Sequence, residues 1–155
     1  MTYVEIGESA QFEVDAFKQF ARVSCSCDDN QIREFVRAAV LRVQQHADRA
    51  LVPCTIEITG EGAELQLWQP TVASVTAAID IDTGADEKAG CIVSGHTLML
   101  PYAGRWRVTY TTVPNPSAVE ALRPYVWQLA AAIYDGNTEE EAKVMQRIPI
   151  DYVVR

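Results

Sequence analysis

The chain of 155 residues and 17.2 kDa is long enough for one domain that buries roughly two thirds of its unfolded surface. Apolar residues at 48% and charged residues at 22% exclude long disorder, collagen-like repeats and coiled-coil bias. With 21 Asp and Glu against 13 Lys and Arg, the net charge of −8 repels a phosphate backbone and argues against tight DNA binding by counterion release.

Met1-Thr2-Tyr3-Val4-Glu5 places an acid where a signal peptide needs a base, and no apolar run approaches the roughly 18 residues of a membrane span. The chain is therefore expected to stay inside the cell, with Cys25, Cys27, Cys54 and Cys91 as free thiols in a reducing compartment. Val14, Phe17, Lys18 and Ala21 recur at helical spacing, with Phe20 alongside, and predict a short helix over 13–22 that stops at Ser24-Cys25-Ser26-Cys27. From Asp28 or Asp29 as cap, Ile32, Phe35, Val36, Ala39, Val40, Val43 and Ala47 form an apolar stripe. Arg33, Glu34, Arg37, Gln44 and Asp48 face away from it. This predicts a long helix over 29–50, ended by Pro53.

Between 53 and 112 the period changes from 3.6 to 2, which predicts short antiparallel strands. Cys54, Ile56 and Ile58 alternate with polar residues, as do Ala63, Leu65 and Leu67, and Gly60-Glu61-Gly62 between them suggests a hairpin turn. A third strand carries Val75, Ala77, Ile79 and Ile81 on one face and Ser74, Thr76 and Asp80 on the other. Ser94-Gly95-His96 joins Cys91-Ile92-Val93 to Thr97-Leu98-Met99-Leu100, and a last strand puts Trp106, Val108 and Tyr110 on one face.

Helix returns over 117–135, where Ser117-Ala118-Val119-Glu120 fits a capping box and Pro124 should kink or restart the helix. Gly136 fits the position after a helix end, and Thr138-Glu139-Glu140-Glu141 fits a second capping box opening a helix over 138–145. The result is an α+β fold: a short helix, a long helix and C-terminal helices, with a small antiparallel sheet inserted at about 53–112. One domain spans 1–146, and 147–155 forms an extended, apolar arm without a place in the core.

Ile79-Asp80-Ile81-Asp82-Thr83-Gly84-Ala85-Asp86 looks like the active-site signature of the retroviral type of aspartic protease, in which two subunits each give one Asp and the pair shares a proton. Asp82 would hold that role. Lys88 stands where that signature has a small or apolar residue, and a strand ending in a Thr-Gly turn explains the same residues. The Cys25-Ser26-Cys27 spacing is not that of a zinc knuckle, and the glycine among Asp80, Asp82 and Asp86 is misplaced for a calcium loop. His46 falls on the long helix and His96 in a turn. Trp68, Trp106 and Trp127 are expected as core or interface anchors. No catalytic residue, cofactor or metal is expected.

Taken in order, the chain shows Ala16-Phe17-Lys18, Asp28-Asp29, Arg37-Ala38-Ala39 running into Ala50-Leu51, and Pro70-Thr71-Val72-Ala73-Ser74-Val75. Arg107-Val108-Thr109-Tyr110, Val113-Pro114 and Leu129-Ala130-Ala131-Ala132-Ile133-Tyr134 follow. Over about residues 12–136 this order resembles the head-to-tail connector (adaptor, or head-completion) family of tailed bacteriophages and prophages, in its version with a β insertion. It departs from that pattern at Thr111-Thr112 and at Pro124. The resemblance implies a structural subunit of the virion neck. Roughly a dozen copies would form a ring below the portal, extend the channel through which DNA passes without specific binding, and dock the stopper or tail. Arg33, Arg37 and Gln44 are then candidate ring contacts. Ile148, Pro149, Ile150, Tyr152, Val153 and Val154 form a candidate portal-binding arm, unless that segment completes the subunit's own sheet. A dimeric protease using Asp82 and a generic intracellular α+β binding module are the alternatives.

Overall fold

The architecture is described from a computed structural model over residues 1–23, 28–69 and 71–149. The chain forms two compact units: Met1–Gly7 with Val52–Pro114, and Glu8–Leu51 with Asn115–Arg155. The β insertion expected at about 53–112 falls within the first of these units. Among the described residues no helix is long and apolar enough to cross a membrane.

The first unit is an antiparallel sheet of five strands: β1 (Thr2–Ile6), β2 (Cys54–Gln66), β3 (Val72–Asp80), β4 (Ile92–Ser94) and β5 (Thr97–Thr112). The order is β1-β2-β5-β3, with β4 pairing β5 at its N-terminal end. The strand β1 was not foreseen in the sequence; it pairs with the start of β2, and its register shifts between Tyr3 and Glu5. The expected turn at Gly60-Glu61-Gly62 is not formed either. Instead β2 runs straight through it against β5, Gly62 faces Gly104, and the register shifts between Gly62 and Glu64.

This bulge explains the sequence pattern that suggested a hairpin. Between the Gly62–Gly104 and Glu64–Met99 pairs β5 holds four residues, 100–103, against one on β2, and this odd shift moves the buried positions of β2 from Cys54, Ile56 and Ile58 to Leu65 and Leu67, reversing the face just as a turn would. Gly62 has φ +123, a backbone state that suits glycine. Correspondingly, the two strands expected between Thr97 and Tyr110 are one strand, buried at Leu98, Leu100, Trp106, Val108, Tyr110 and Thr112. In β3 a register shift between Val75 and Ala77 reverses the expected face. Ala78 and Asp80 are buried, whereas Ile81 is exposed. The turn before β5 is found as expected, with Gly95 at φ +58.

The second unit is helical: α1 (Val14–Ala21), α2 (Asp29–Ala47), α3 (Pro116–Tyr134) and α4 (Thr138–Arg147), preceded by one 3₁₀ turn at Ala10–Phe12. Phe17, Ile32, Val36, Ala39, Val40 and Val43 are buried with Leu122, Val126, Leu129 and Val144, so the apolar stripes read from the sequence are the packed ones. Phe12 and Phe17 meet Trp127, while Phe17 and Phe35 meet Tyr134 edge-on. Arg42 bonds Glu141 at 2.6 Å, tying α2 to α4, and Lys18 pairs with Asp29.

Helix boundaries differ from expectation for capping reasons. α2 ends at Ala47 instead of 50, because Asp48 adopts the left-handed conformation and its N–H donates to the Gln44 carbonyl. Asn115, not Ser117, caps α3 by accepting from Ala118 N–H at 3.2 Å, with Pro116 in the first turn. Asn137, not Thr138, caps α4 by accepting from Glu140 N–H at 3.0 Å. α3 continues unbroken through Pro124.

Candidate functional site

The aspartate cluster that suggested chemistry lies where β3 ends. Asp80 is only 5% exposed, and its Oδ1 accepts from Asp82 N–H at 2.9 Å and Thr83 N–H at 3.3 Å. Its Oδ2 accepts from the Tyr102 hydroxyl at 2.7 Å. These donors, Tyr102 foremost, hold the Asp80 carboxyl below its ordinary range despite its burial. The same bond pushes the Tyr102 hydroxyl up to about 12. Gly84, at φ +75, closes the turn by donating its N–H to the Asp80 carbonyl at 2.7 Å.

Asp82 is exposed and ion-paired with Arg105, whose Nε also donates to it at 3.2 and 3.3 Å, so Arg105 lowers its carboxyl too. Asp86 accepts from Ala78 N–H and Lys88 N–H, both at 3.1 Å, which lowers the third. A protease dyad needs a carboxyl that retains a proton near another carboxylate. All three aspartates here are already engaged, Asp80 by Tyr102 and turn N–H groups, Asp82 by Arg105 and Asp86 by backbone N–H groups, which favours the turn over the protease. Among the described residues no group of three His, Cys, Asp or Glu side chains is placed to hold a metal.

What these aspartates do is finish the sheet. Residues 85–88 lie along the outer edge of β3: Glu87 N–H donates to the Ala78 carbonyl at 2.8 Å, Asp80 N–H to the Ala85 carbonyl at 2.9 Å, and Lys88 Nζ to the Thr76 carbonyl at 3.4 Å. With the Asp86 contact to Ala78, the outward polar groups of the C-terminal part of β3, from Thr76 to Asp80, are occupied and that part of the edge is closed to another strand. Tyr102 and Arg105 were missed in the sequence because their partners lie 22 and 23 residues away, beyond any local pattern.

Of the candidate ring contacts, Arg33 and Arg37 are exposed on α2, and Arg33 donates to Asn30 at 3.0 Å. Gln44 is a correction: it is fully buried, and its Oε1 accepts from Leu51 N–H at 3.2 Å. That bond satisfies a backbone donor just beyond the helix, so Gln44 serves its own unit. Ile148 is a second correction, since it is 3% exposed and follows α4 into the helical core. Pro149 is exposed, whereas Ile150, Tyr152, Val153 and Val154 lie outside the described residues. Cys54 is buried and Cys91 half-buried, both as thiols, and burial followed by the nearby Asp86 and Glu87 pushes Cys91 up. Cys25 and Cys27 lie outside the described residues.

No family model matches the chain, and no curated protein matches it in sequence. Solved structures do. A chain of the virion of a native gene transfer agent (GTA) particle matches with a TM-score of 0.68 at 18% identity, over 99% of this chain and 95% of that one. A chain of the neck of a native GTA particle, computed with C12 symmetry, matches with a TM-score of 0.62 at 19% identity, over 100% and 97%. The fold is that of a GTA neck chain. A chain of the neck of an empty GTA particle, computed with C6 symmetry, agrees with a TM-score of 0.61 at 20% identity, over 87% and 84%. The first two likenesses run essentially from end to end, so the matched fold includes both the helical unit and the inserted sheet. The α+β class expected from the connector resemblance is found.

Proposed function

We propose that this chain is a structural, non-enzymatic subunit of the neck of a phage-like particle, a head-to-tail connector that forms a ring below the portal, extends the DNA channel and docks the stopper or tail. The observation that carries this reading is the end-to-end fold likeness to a neck chain from a particle computed with C12 symmetry. The net charge of −8 suits a channel wall along which DNA slides without being held. Weak contacts repeated around a ring supply the avidity that one subunit lacks. Arg33 and Arg37 are available for those contacts, and the arm toward the portal begins at Pro149. Co-expression with the portal of the same particle, followed by electron microscopy of the purified complex, tests the reading. A ring of this chain on one end of the portal is expected; a portal that purifies without it overturns the assignment.

A further inference from the structure

The outward face of the sheet is polar over most of its length. Thr55, Thr111 and Ser74 form one row, Glu57 and Thr109 with Ala77 the next, then Thr59 and Arg107 with Ile79, then Glu61 and Arg105. At the β4 end its character changes. Ile92 and Met99 face each other across the β4–β5 pair at 61% and 43% exposure. Paired large apolar side chains on a strand face in water mark an interaction surface. The strand edges agree with this: β1 is interrupted by a register shift and the C-terminal part of β3 is covered by residues 85–88, whereas β4 has neither device among the described residues.

Charge selects the occupant. Glu64 lies opposite Met99 on β2, and Glu61 follows along the same strand. Two of the three cations of this unit are engaged, Arg105 by Asp82 and Lys88 by the Thr76 carbonyl. A fitting partner is therefore apolar and cationic. The helical unit of the same chain has that chemistry: Phe20 is 47% exposed on α1, Arg22 ends that helix, and Arg33 and Arg37 stand one turn apart on α2. Among the described residues none of these three arginines makes an ion pair.

We propose that the β4 end of the sheet in one copy docks on the α1–α2 pair of the next, with Ile92 and Met99 against Phe20 and Glu64 facing Arg33 and Arg37. Two different patches meet, so the contact is head-to-tail and closes into a ring when its rotation allows. The proposal deepens the ring-subunit reading and rests on it.

Sedimentation velocity on the wild type, on Ile92→Asp and on the double variant Arg33→Glu/Arg37→Glu tests the contact. The altered side chains are exposed, so all should share one melting curve; Met99→Ser serves as a second sheet variant. The wild type should self-associate as concentration rises, and each variant alone should weaken association by more than about tenfold. A 1:1 mixture of Ile92→Asp with the arginine variant should form dimers and nothing larger, because each contributes one intact patch. A monomeric wild type, a variant that assembles normally, or a mixture without dimers would each overturn the contact. The two proposals fail separately: rings on the portal that ignore Ile92→Asp reject this contact only, and dimers in the mixture without portal binding reject the neck assignment only.

Discussion

Asp80 is a nearly buried carboxylate that stays charged because a hydroxyl and two backbone N–H groups point at it. Its folded pKa is lowered, so its contribution to stability is complete above the ordinary aspartate range and is lost as pH falls through the folded value. Tyr102 acts at the other end of the scale. Its hydroxyl is raised to about 12, so the bond it donates stabilises the fold below the ordinary tyrosine pKa of about 10 and is lost between about 10 and 12. The melting temperature should therefore drop below about pH 4 and again above about pH 10, and Tyr102→Phe should flatten both flanks. Equal slopes in the variant and the wild type would show that the pair does not couple to folding. At Gln44 the stake is a backbone group. Gln44→Ala leaves Leu51 N–H buried without that acceptor and should cost about 1–3 kcal/mol in urea unfolding.

At the level of elements, a local pattern identifies a helix far better than it identifies what a strand pairs with. The stripe from Ile32 to Ala47 needs only its own period, and α2 follows it closely. Reversal of the buried face between Ile58 and Leu65 fits a turn or a bulge equally well, and only the sixteen residues of β5 alongside decide for the bulge. Asp80 was placed on the polar face for the same reason, because the register shift at Val75 leaves no mark in β3 itself. The aspartate motif was legible as a strand-end turn; its closure by Tyr102 and Arg105 was not. Pro124 shows a different limit. The amphipathic pattern of α3 overrides a residue that lacks an N–H and crowds the preceding turn. Since Pro124 is exposed, Pro124→Ala should raise stability by about 1–3 kcal/mol, read as a higher denaturant midpoint with an unchanged slope. No gain would mean that the preceding turn has already accommodated the ring.

Across the whole molecule the chain passes between its two units three times, and the last passage leads through α3 and α4 to the C-terminal segment. Burial fixes where the proposed portal-binding arm starts. Ile148 is buried, so it is not available to a neighbour, whereas Arg147, which bonds Glu140 at 3.1 Å, and Pro149 are exposed. Two truncations of different length therefore have different expected effects. Removing 147–155 takes away a buried isoleucine and an ion pair, and should lower stability by about 2–4 kcal/mol. Removing only 150–155 should leave the melting temperature unchanged while the protein no longer co-purifies with portal, as expected for a segment whose apolar residues act between chains. If the shorter truncation instead melts as low as the longer one, those six residues stabilise the subunit itself; if it melts normally and still binds portal, the contact with portal lies elsewhere on the subunit.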